Sequence, residues 1–297
     1  MMFCRLYNPF TFKYAILSSS QMKSRNMLIS CYKYSNQVSQ GTFVGAPDNF
    51  KGVIVDLAKE KYVQLDFNKM LTDSLNRWRN EGRRCIWFKV NIKDAEHIPV
   101  LAKKGFNFHH ARDDFVMMCK WLPTDFEPNL PPSSHTNLGV GAMVFNKDSK
   151  LLAISEKSYD YPHWKLPGGY VERGEDIVHA AIREVKEETG VDCAFESLVT
   201  FRHTHDMTFG NSDIYVLVRM SALSDKIQIA TREVKDCKWM DVEEYTSHPH
   251  VHKFNRLIVK KALEYKERKI KFNLQKKTVQ FSKYVRDMTF LVLEDIE

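Results

Sequence analysis

Residues 166–191 read LPGGYVERGEDIVHAAIREVKEETGV, and this stretch decides the fold class. Ile177, Ala181 and Val185, with Ala180 beside them, recur at spacings of three and four. That is the apolar face of an amphipathic helix, here predicted over 175–189. Gly190 ends it as a residue that tolerates the left-handed conformation. Pro167-Gly168-Gly169 ahead of it permits a sharp turn and close backbone approach. Glu184, Glu187 and Glu188 stand at i, i+3 and i+4, on one side of the cylinder.

Three like charges so placed need either full solvation or a cation, and hard carboxylate oxygens suit Mg²⁺ or Mn²⁺. The Gly168 carbonyl can add an oxygen. Glu172 and Glu175 add acids in the loop and first turn, where they also complement the helix dipole. Mg²⁺ is usually held by a few carboxylates together with substrate phosphates and water, so a phosphate compound would supply the other half of the site. Taken alone, Glu-x-x-Glu-Glu also describes a solvated acidic helix.

The longer spacing separates these readings. Gly169, five residues, Glu175, seven residues, then REVKEETGV (183–191) fit G-x5-E-x7-R-E-U-x-E-E-x-G-U at every defined position, with U a bulky aliphatic. In this motif the chain resembles the Nudix hydrolases, over roughly residues 136–270. The resemblance implies an α/β fold, an α/β/α sandwich around a mixed sheet. It implies metal-dependent hydrolysis of a nucleoside diphosphate linked to another moiety, by attack of activated water. Glu184, Glu187 and Glu188 would bind Mg²⁺ or Mn²⁺ with the Gly168 carbonyl, and Glu184 or Glu188 would act as base. Arg183 would orient the glutamates through charge-assisted bonds. Glu172 and Glu175 would be outer members.

Three further segments, TrpArgAsnGluGlyArg (78–83), PheHisHisAla (108–111) and SerAspIleTyr (212–215), are similar to one branch of that family. It includes the antisense basic fibroblast growth factor protein and plant enzymes acting on ADP-ribose and NADH. The likeness implies a homodimer and a small α+β N-terminal domain resembling half an acetyltransferase. No Gly-rich acetyl-CoA loop is visible, so acetyl transfer is not expected.

Working outward, KGVIVDL (51–57) and RRCIWFKV (83–90) are strand candidates, and the apolar run FVMMCKW within 106–121 is a third. Phe67, Met70, Leu71, Leu75 and Trp78 mark a helix over 65–82, stopped by Gly82, and 94–104 another. These make an α+β unit over 48–125. LPTDFEPNLPPSS (122–134), with four prolines, reads as a linker, set at 126–135. VGAMVFN (140–146) and KLLAISEK (150–157) flank a hairpin turn, and a helix is expected over 251–271. The catalytic domain is assigned to 136–272 and a tail to 273–297.

The net charge of +7 sits at the two ends. Residues 1–47 hold five Lys/Arg and no Asp/Glu, and 251–297 hold twelve and six; the middle is mildly acidic. That excludes a basic nucleic-acid groove along the body. The acid-free start is read as a disordered or transit segment with a mitochondrial address, the alternatives being cytoplasmic or nuclear. No apolar run is long enough to span a membrane. Six dispersed cysteines without a C-x-x-C pair exclude a disulfide scaffold.

Arg202 and His205 follow a strand candidate and are assigned to substrate phosphate or water; Glu233 sits in a loop before CysLysTrpMet (237–240) and is a candidate late acid. For each, a plain surface role is the alternative. The basic segment 260–272 could draw RNA by counterion release, but Glu264 and Glu267 interrupt it as on an ordinary solvated helix. Two further activities compete: a hydrolase of capped RNA ends, and a regulatory protein that binds nucleotide without turnover.

Overall fold

The computed structural model describes residues 41–229, 232–281 and 284–294. The chain divides into two units, Met1–Glu127 and Pro128–Glu297. Most of the transit assignment, with Cys4 and Cys31, lies outside the described residues.

The first unit contains β1 (Ala46–Pro47), β2 (Val53–Asp56), α1 (Phe67–Asn80), β3 (Cys85–Asn91), α2 (Ile98–Lys103), β4 (Asn107–Ala111) and β5 (Phe115–Trp121). Among the described residues its sheet runs β1-β2-β3-β5-β4, with β2 and β3 parallel. Strand alternation sends Ile86, Phe88 and Val90 into the core, where they meet Phe67, Leu71, Leu75 and Trp78 of α1. Phe43 is fully buried there, edge-on to Phe67 at 5.2 Å and Phe88 at 5.4 Å. Residues 41–47 thus belong to this unit and not to a leader ending at 47, because the core uses Phe43. The strand expected at FVMMCKW is β5, and Asn107–Ala111 ahead of it is a further strand, antiparallel to β5. The polar stretch Arg112-Asp113-Asp114 makes the turn, with the Arg112 N–H donating to the Phe115 carbonyl at 2.8 Å. The helix expected over 94–104 begins as a 3-10 turn, Ile92–His97, before α2.

The second unit contains β6 (Thr136–Phe145), β7 (Leu151–Glu156), β8 (Gly168–Tyr170), α3 (Ile177–Thr189), β9 (Cys193–Thr204), β10 (Ser212–Ala222), β11 (Val234–Met240), α4 (Val242–Ser247), α5 (Lys253–Glu267), β12 (Lys271–Gln280) and β13 (Val285–Glu294). Among the described residues the sheet runs β11-β7-β6-β10-β9-β12-β13, with β8 beside β6. It is mixed: β6 and β10 are parallel from Thr136↔Ser212 to Phe145↔Ser221. The two faces of β6 separate the layers. Val140, Ala142 and Val144 pack with Ala180, Ala181 and Val185 of α3. Met143 packs on the other face with Tyr245, Ile258, Val259 and Ala262 of α4 and α5. The result is the expected α/β/α sandwich.

Two boundaries differ from expectation. The last helix stops at Glu267, and Lys271 already opens β12. The segment assigned as a tail from 273 is a long hairpin, with β12 meeting β9 at Phe272↔Leu198. Its Lys276 ammonium pairs with Asp176, at the start of α3, at 2.9 Å. On α5, Glu264 pairs with both Lys261 and Arg268. Among the described residues no helix is long and apolar enough to cross a membrane. Cys85, Cys119, Cys193 and Cys237 are buried free thiols.

Candidate active site

The site is assembled where the Pro-Gly-Gly turn packs on β6 and faces α3. β8 pairs with β6 antiparallel, Gly168 opposite Gly141 and Gly169 opposite Val140. Gly168 has φ +151°, and a Cβ there would stand 2.7 Å from the Gly141 Cα. A Cβ on Gly169 would stand 2.7 Å from the Glu184 carboxylate. Glycine is therefore demanded at 168 by close approach to the sheet backbone, and at 169 it leaves room for the Glu184 carboxylate.

Arg183 gathers three of the predicted acids. Its Nε and Nη2 donate to the two Glu175 oxygens, each at 2.9 Å, a bidentate pair. Nη1 donates to Glu184 at 2.8 Å and to Glu187 at 3.2 Å, and Nη2 also reaches the Tyr170 carbonyl at 3.0 Å. The Arg183 bonds hold the Glu175 carboxyl down at about 2, helped by the Glu172 N–H. The same acids raise the already high pKa of Arg183. Glu172 itself is exposed and contributes its backbone N–H to Glu175 at 2.9 Å.

Glu188 has a different environment. It follows Val185 by three and Ala181 by seven residues, so at about 100° per residue it continues the buried stripe. It is 8% exposed, whereas the Glu187 side chain is 59% exposed. The expected single acidic face is thus divided: Glu187 points to solvent, Glu184 is intermediate and Glu188 faces inward. The Glu188 Oε2 accepts the Gly168 N–H at 2.8 Å. Burial pushes its carboxyl up to about 7, opposed by Lys165 and the Gly168 N–H and assisted by Glu184 and Glu156. Gly168 serves Glu188 through its N–H, a different group from the carbonyl expected as a ligand.

Two residues at this centre were missed from the sequence. Glu156 ends β7 on the face of Leu152 and Ile154, which α3 covers. Lys165 forms an isolated bridge with Ile154, and its ammonium pairs with the Glu156 carboxylate. The usable signal was alternation: Glu156 continues the inward Leu152, Ile154 series, and Lys165 stands two residues before the turn. Glu233, proposed as the late acid, is exposed, and its carbonyl accepts the Lys157 N–H at 2.9 Å. Its turn lies beside the end of β7, where Glu156 is the acid close to Glu188. Arg202 and His205 are engaged by β10. Arg202 donates to Asp213 at 3.1 Å and lies 5.0 Å over the Tyr215 ring, and His205 Nδ1 is 2.9 Å from Ser212 Oγ. Among the described residues, Arg202, His205 and Glu233 stand outside the hydrogen-bond network of Arg183 and Glu188.

The donor set of Glu184, Glu187 and Glu188 is hard oxygen, and Glu188 is a buried carboxylate with acidic neighbours. Its chemistry fits a divalent cation. The cage is not ready-made: among the described residues no three His, Cys, Asp or Glu side chains converge as a metal site. Arg183 holds an oxygen of both Glu184 and Glu187, so these side chains must turn toward Glu188 to share an ion.

An α/β/α sandwich with a glycine turn facing an Arg-Glu helix defines a carboxylate-centred class of protein. Comparison with known sequences gives the family. The pattern of the Nudix hydrolase domain matches residues 43–122, and that of the NUDIX domain matches residues 135–261. Nudix hydrolase 8 of Arabidopsis thaliana is 36% identical over 239 residues, covering 79% of this chain and 63% of that protein. Nudix hydrolase 2 of the same plant is 34% identical over 213 residues, covering 71% and 76%. Nucleoside diphosphate-linked moiety X motif 6 of Homo sapiens is 35% identical over 207 residues, covering 67% and 65%. The chain therefore spans just under two thirds of the first and third of these relatives. It belongs to the Nudix hydrolases. Members of that family are hydrolases of pyrophosphate bonds and generally use divalent metal ions.

Proposed function

We propose that the Pro128–Glu297 unit hydrolyses the pyrophosphate of a nucleoside diphosphate linked to another moiety, with Mg²⁺ or Mn²⁺ as cofactor. ADP-ribose and NADH are the first substrates to try. The observation that carries this reading is the division of labour along α3. Glu188 is buried against the Gly168 amide, while Arg183 fans Glu175, Glu184 and Glu187 around the same turn.

Glu184, Glu187 and Glu188, with the Gly168 carbonyl, would hold the cation. When bound, it supplies charge neutralisation at the pyrophosphate and acidifies a water. The chain's own contribution is positional and electrostatic. Arg183 is anchored to the turn by Glu175 and holds Glu184 and Glu187 beside the site until they turn toward the ion. The Gly168 N–H fixes one oxygen of Glu188, leaving the other free to act. Glu184 or Glu188 takes the proton of the attacking water, the new oxygen–phosphorus bond forms, and the bridging oxygen leaves with the other phosphate. Lys165, paired with Glu156, adds a positive charge beside a site that must accept a polyanion. Glu172, Arg202, His205 and Glu233 are assigned to the wider substrate surround by residue type alone.

The test is phosphate release, coupled to phosphatase, from ADP-ribose, NADH, NAD, coenzyme A, FAD, 8-oxo-dGTP, diadenosine polyphosphates and capped RNA, with each metal and without. Metal-dependent cleavage of a member, lost in Glu188→Gln, is the expected result. Nucleotide binding without cleavage of any would replace this reading by a sensor. A homodimer and a mitochondrial address belong to the same reading. The first is supported by the family branch and checked by sedimentation; the second is supported by the acid-free start and checked by imaging a full-length fusion.

A further inference from the structure

The segment between β7 and the Pro-Gly-Gly turn carries Tyr159, Tyr161 and His163 within five residues. Their rings form one cluster. Tyr159 and Tyr161 meet edge-on at 5.4 Å, Tyr159 and His163 lie 4.3 Å apart, and Tyr161 and His163 lie 5.8 Å apart. Yet the two tyrosines are 42% and 61% exposed. Aromatic rings of this size contribute most when both faces are covered, so a clustered and exposed pair offers a stacking surface.

The cluster is tied to the catalytic centre by its histidine. His163 Nε2 accepts the backbone N–H of Glu156 at 3.1 Å, and its Nδ1 faces the Tyr161 carbonyl at 3.3 Å. With Nε2 accepting, Nδ1 is the ring nitrogen that can donate to the Tyr161 carbonyl, so the ring is held at both ends. One bond fastens the loop to the end of β7, and the other fastens Tyr161 to the histidine. Glu156 in turn pairs with Lys165 beside Glu188. The aromatic cluster is therefore fastened to the end of β7, where Glu156 and Lys165 act on Glu188 through their charge.

We propose that Tyr159 and Tyr161 form the face on which the base of the nucleotide stacks, with His163 the positioning residue that holds that face against β7. This rests on the nucleotide reading above and names the part of the substrate it recognises. A nucleoside diphosphate carries a charged group for the glutamate centre and, one sugar away, a flat aromatic base. The two tyrosines meet edge-on, and the loop offers an exposed ring from each to receive that base. Recognition through ring faces is tolerant of base identity, since every base has a π-face.

The experiment is calorimetric titration of the full chain, with Mg²⁺, using AMP and ribose 5-phosphate. These probes differ by the base alone. The wild type binds AMP more tightly than ribose 5-phosphate. The Tyr159→Ala/Tyr161→Ala double variant loses on the order of tenfold in AMP affinity, while ribose 5-phosphate is held as before. Tyr159→Phe/Tyr161→Phe keeps the preference, since the ring and not the hydroxyl does the work. His163→Ala weakens AMP selectively, in the same direction as the double alanine variant. An AMP-to-ribose 5-phosphate ratio unchanged in the double alanine variant overturns the proposal, as does a wild type with no preference for AMP. Failure of the parent reading is seen separately, as absence of turnover across the nucleotide panel.

Discussion

Each unit buries an ionisable side chain, and the two are treated in opposite ways. In the first unit His97 is 4% exposed and lies flat on Phe67, ring to ring at 3.9 Å and 5°. Burial lowers its pKa below the ordinary histidine value, so it is kept neutral and serves as one more aromatic plate. In the second unit Glu188 is a carboxylate with one amide donor, beside two other acids. One environment closes over its polar group. The other leaves it with unused acceptor capacity. A buried group left so costs folding energy, and such sites are where ligand chemistry is found.

The largest effect that would sharpen this contrast is on rate. Glu188→Gln should lower metal-dependent turnover on the order of 10²–10⁴. A well-folded variant with undiminished turnover would remove Glu188 from the mechanism and leave Glu184 as base.

The next effect belongs to the first unit. Phe88 is fully buried between Phe43 and Phe106, at ring distances of 5.4 Å and 5.3 Å. Phe88→Ala should destabilise that unit by about 3–5 kcal/mol, through lost contact and the cavity left behind. Denaturant melts followed by hydrogen exchange in β3 would measure it. A loss below about 1 kcal/mol would mean the aromatic cluster is not the centre of that core.

Third comes the stability counterpart of the first prediction. A carboxyl pushed from its ordinary range to about 7 by burial makes ionisation above that range unfavourable for the native state. Without metal, Glu188→Gln should therefore stabilise the second unit at pH 8, on the order of 3 kcal/mol. One substitution would raise stability and abolish turnover. Added Mg²⁺ should raise the melting temperature of the wild type more than that of the variant. Equal metal-induced shifts in the two proteins would show that Glu188 is not a ligand.

These residues also show what a sequence can and cannot disclose. The glycine turn, the helix and the spacing from Gly169 to Gly190 are local, and they carry the family and most of the acids. Arg183 is legible because its partners Glu184 and Glu187 are near it on one helix. Glu156 and Lys165 are legible only in part: alternation turns Glu156 inward, but it is the bridge from Ile154 to Lys165 that brings the pair together. The inward turn of Glu188 was hidden by its charge: a glutamate on the apolar stripe was assigned to the acidic face. The β12–β13 hairpin was missed because it mixes Lys276, Lys277 and Asp287 with Phe272, Leu274, Leu291 and Leu293, and Lys276 makes a partner of Asp176 a hundred residues away. Charge that pairs across such distance reads locally as a solvated tail.

The smallest predicted effect is the most direct test of the opening contrast, because it is a difference in sign. For His97 the folded pKa lies below the unfolded value. Above about pH 6.5 both states are neutral and stability is full; as pH falls below that, the unfolded chain takes the proton first and stability is lost. For Glu188 the folded pKa is raised. Below about pH 4.5 both states are neutral; as pH rises toward about 7 the unfolded chain ionises first, and the native state loses stability. Between pH 5 and 7, in metal-free protein, protection in β3 should rise with pH while protection in α3 falls. Hydrogen exchange, corrected for the intrinsic pH dependence, reads both elements in one sample. His97→Phe should flatten the first trend and leave the second, and Glu188→Gln should do the reverse. Trends of the same sign in β3 and α3 would mean that the two burials do not differ in kind, and the distinction between a sealed core and an open site would have to be drawn elsewhere.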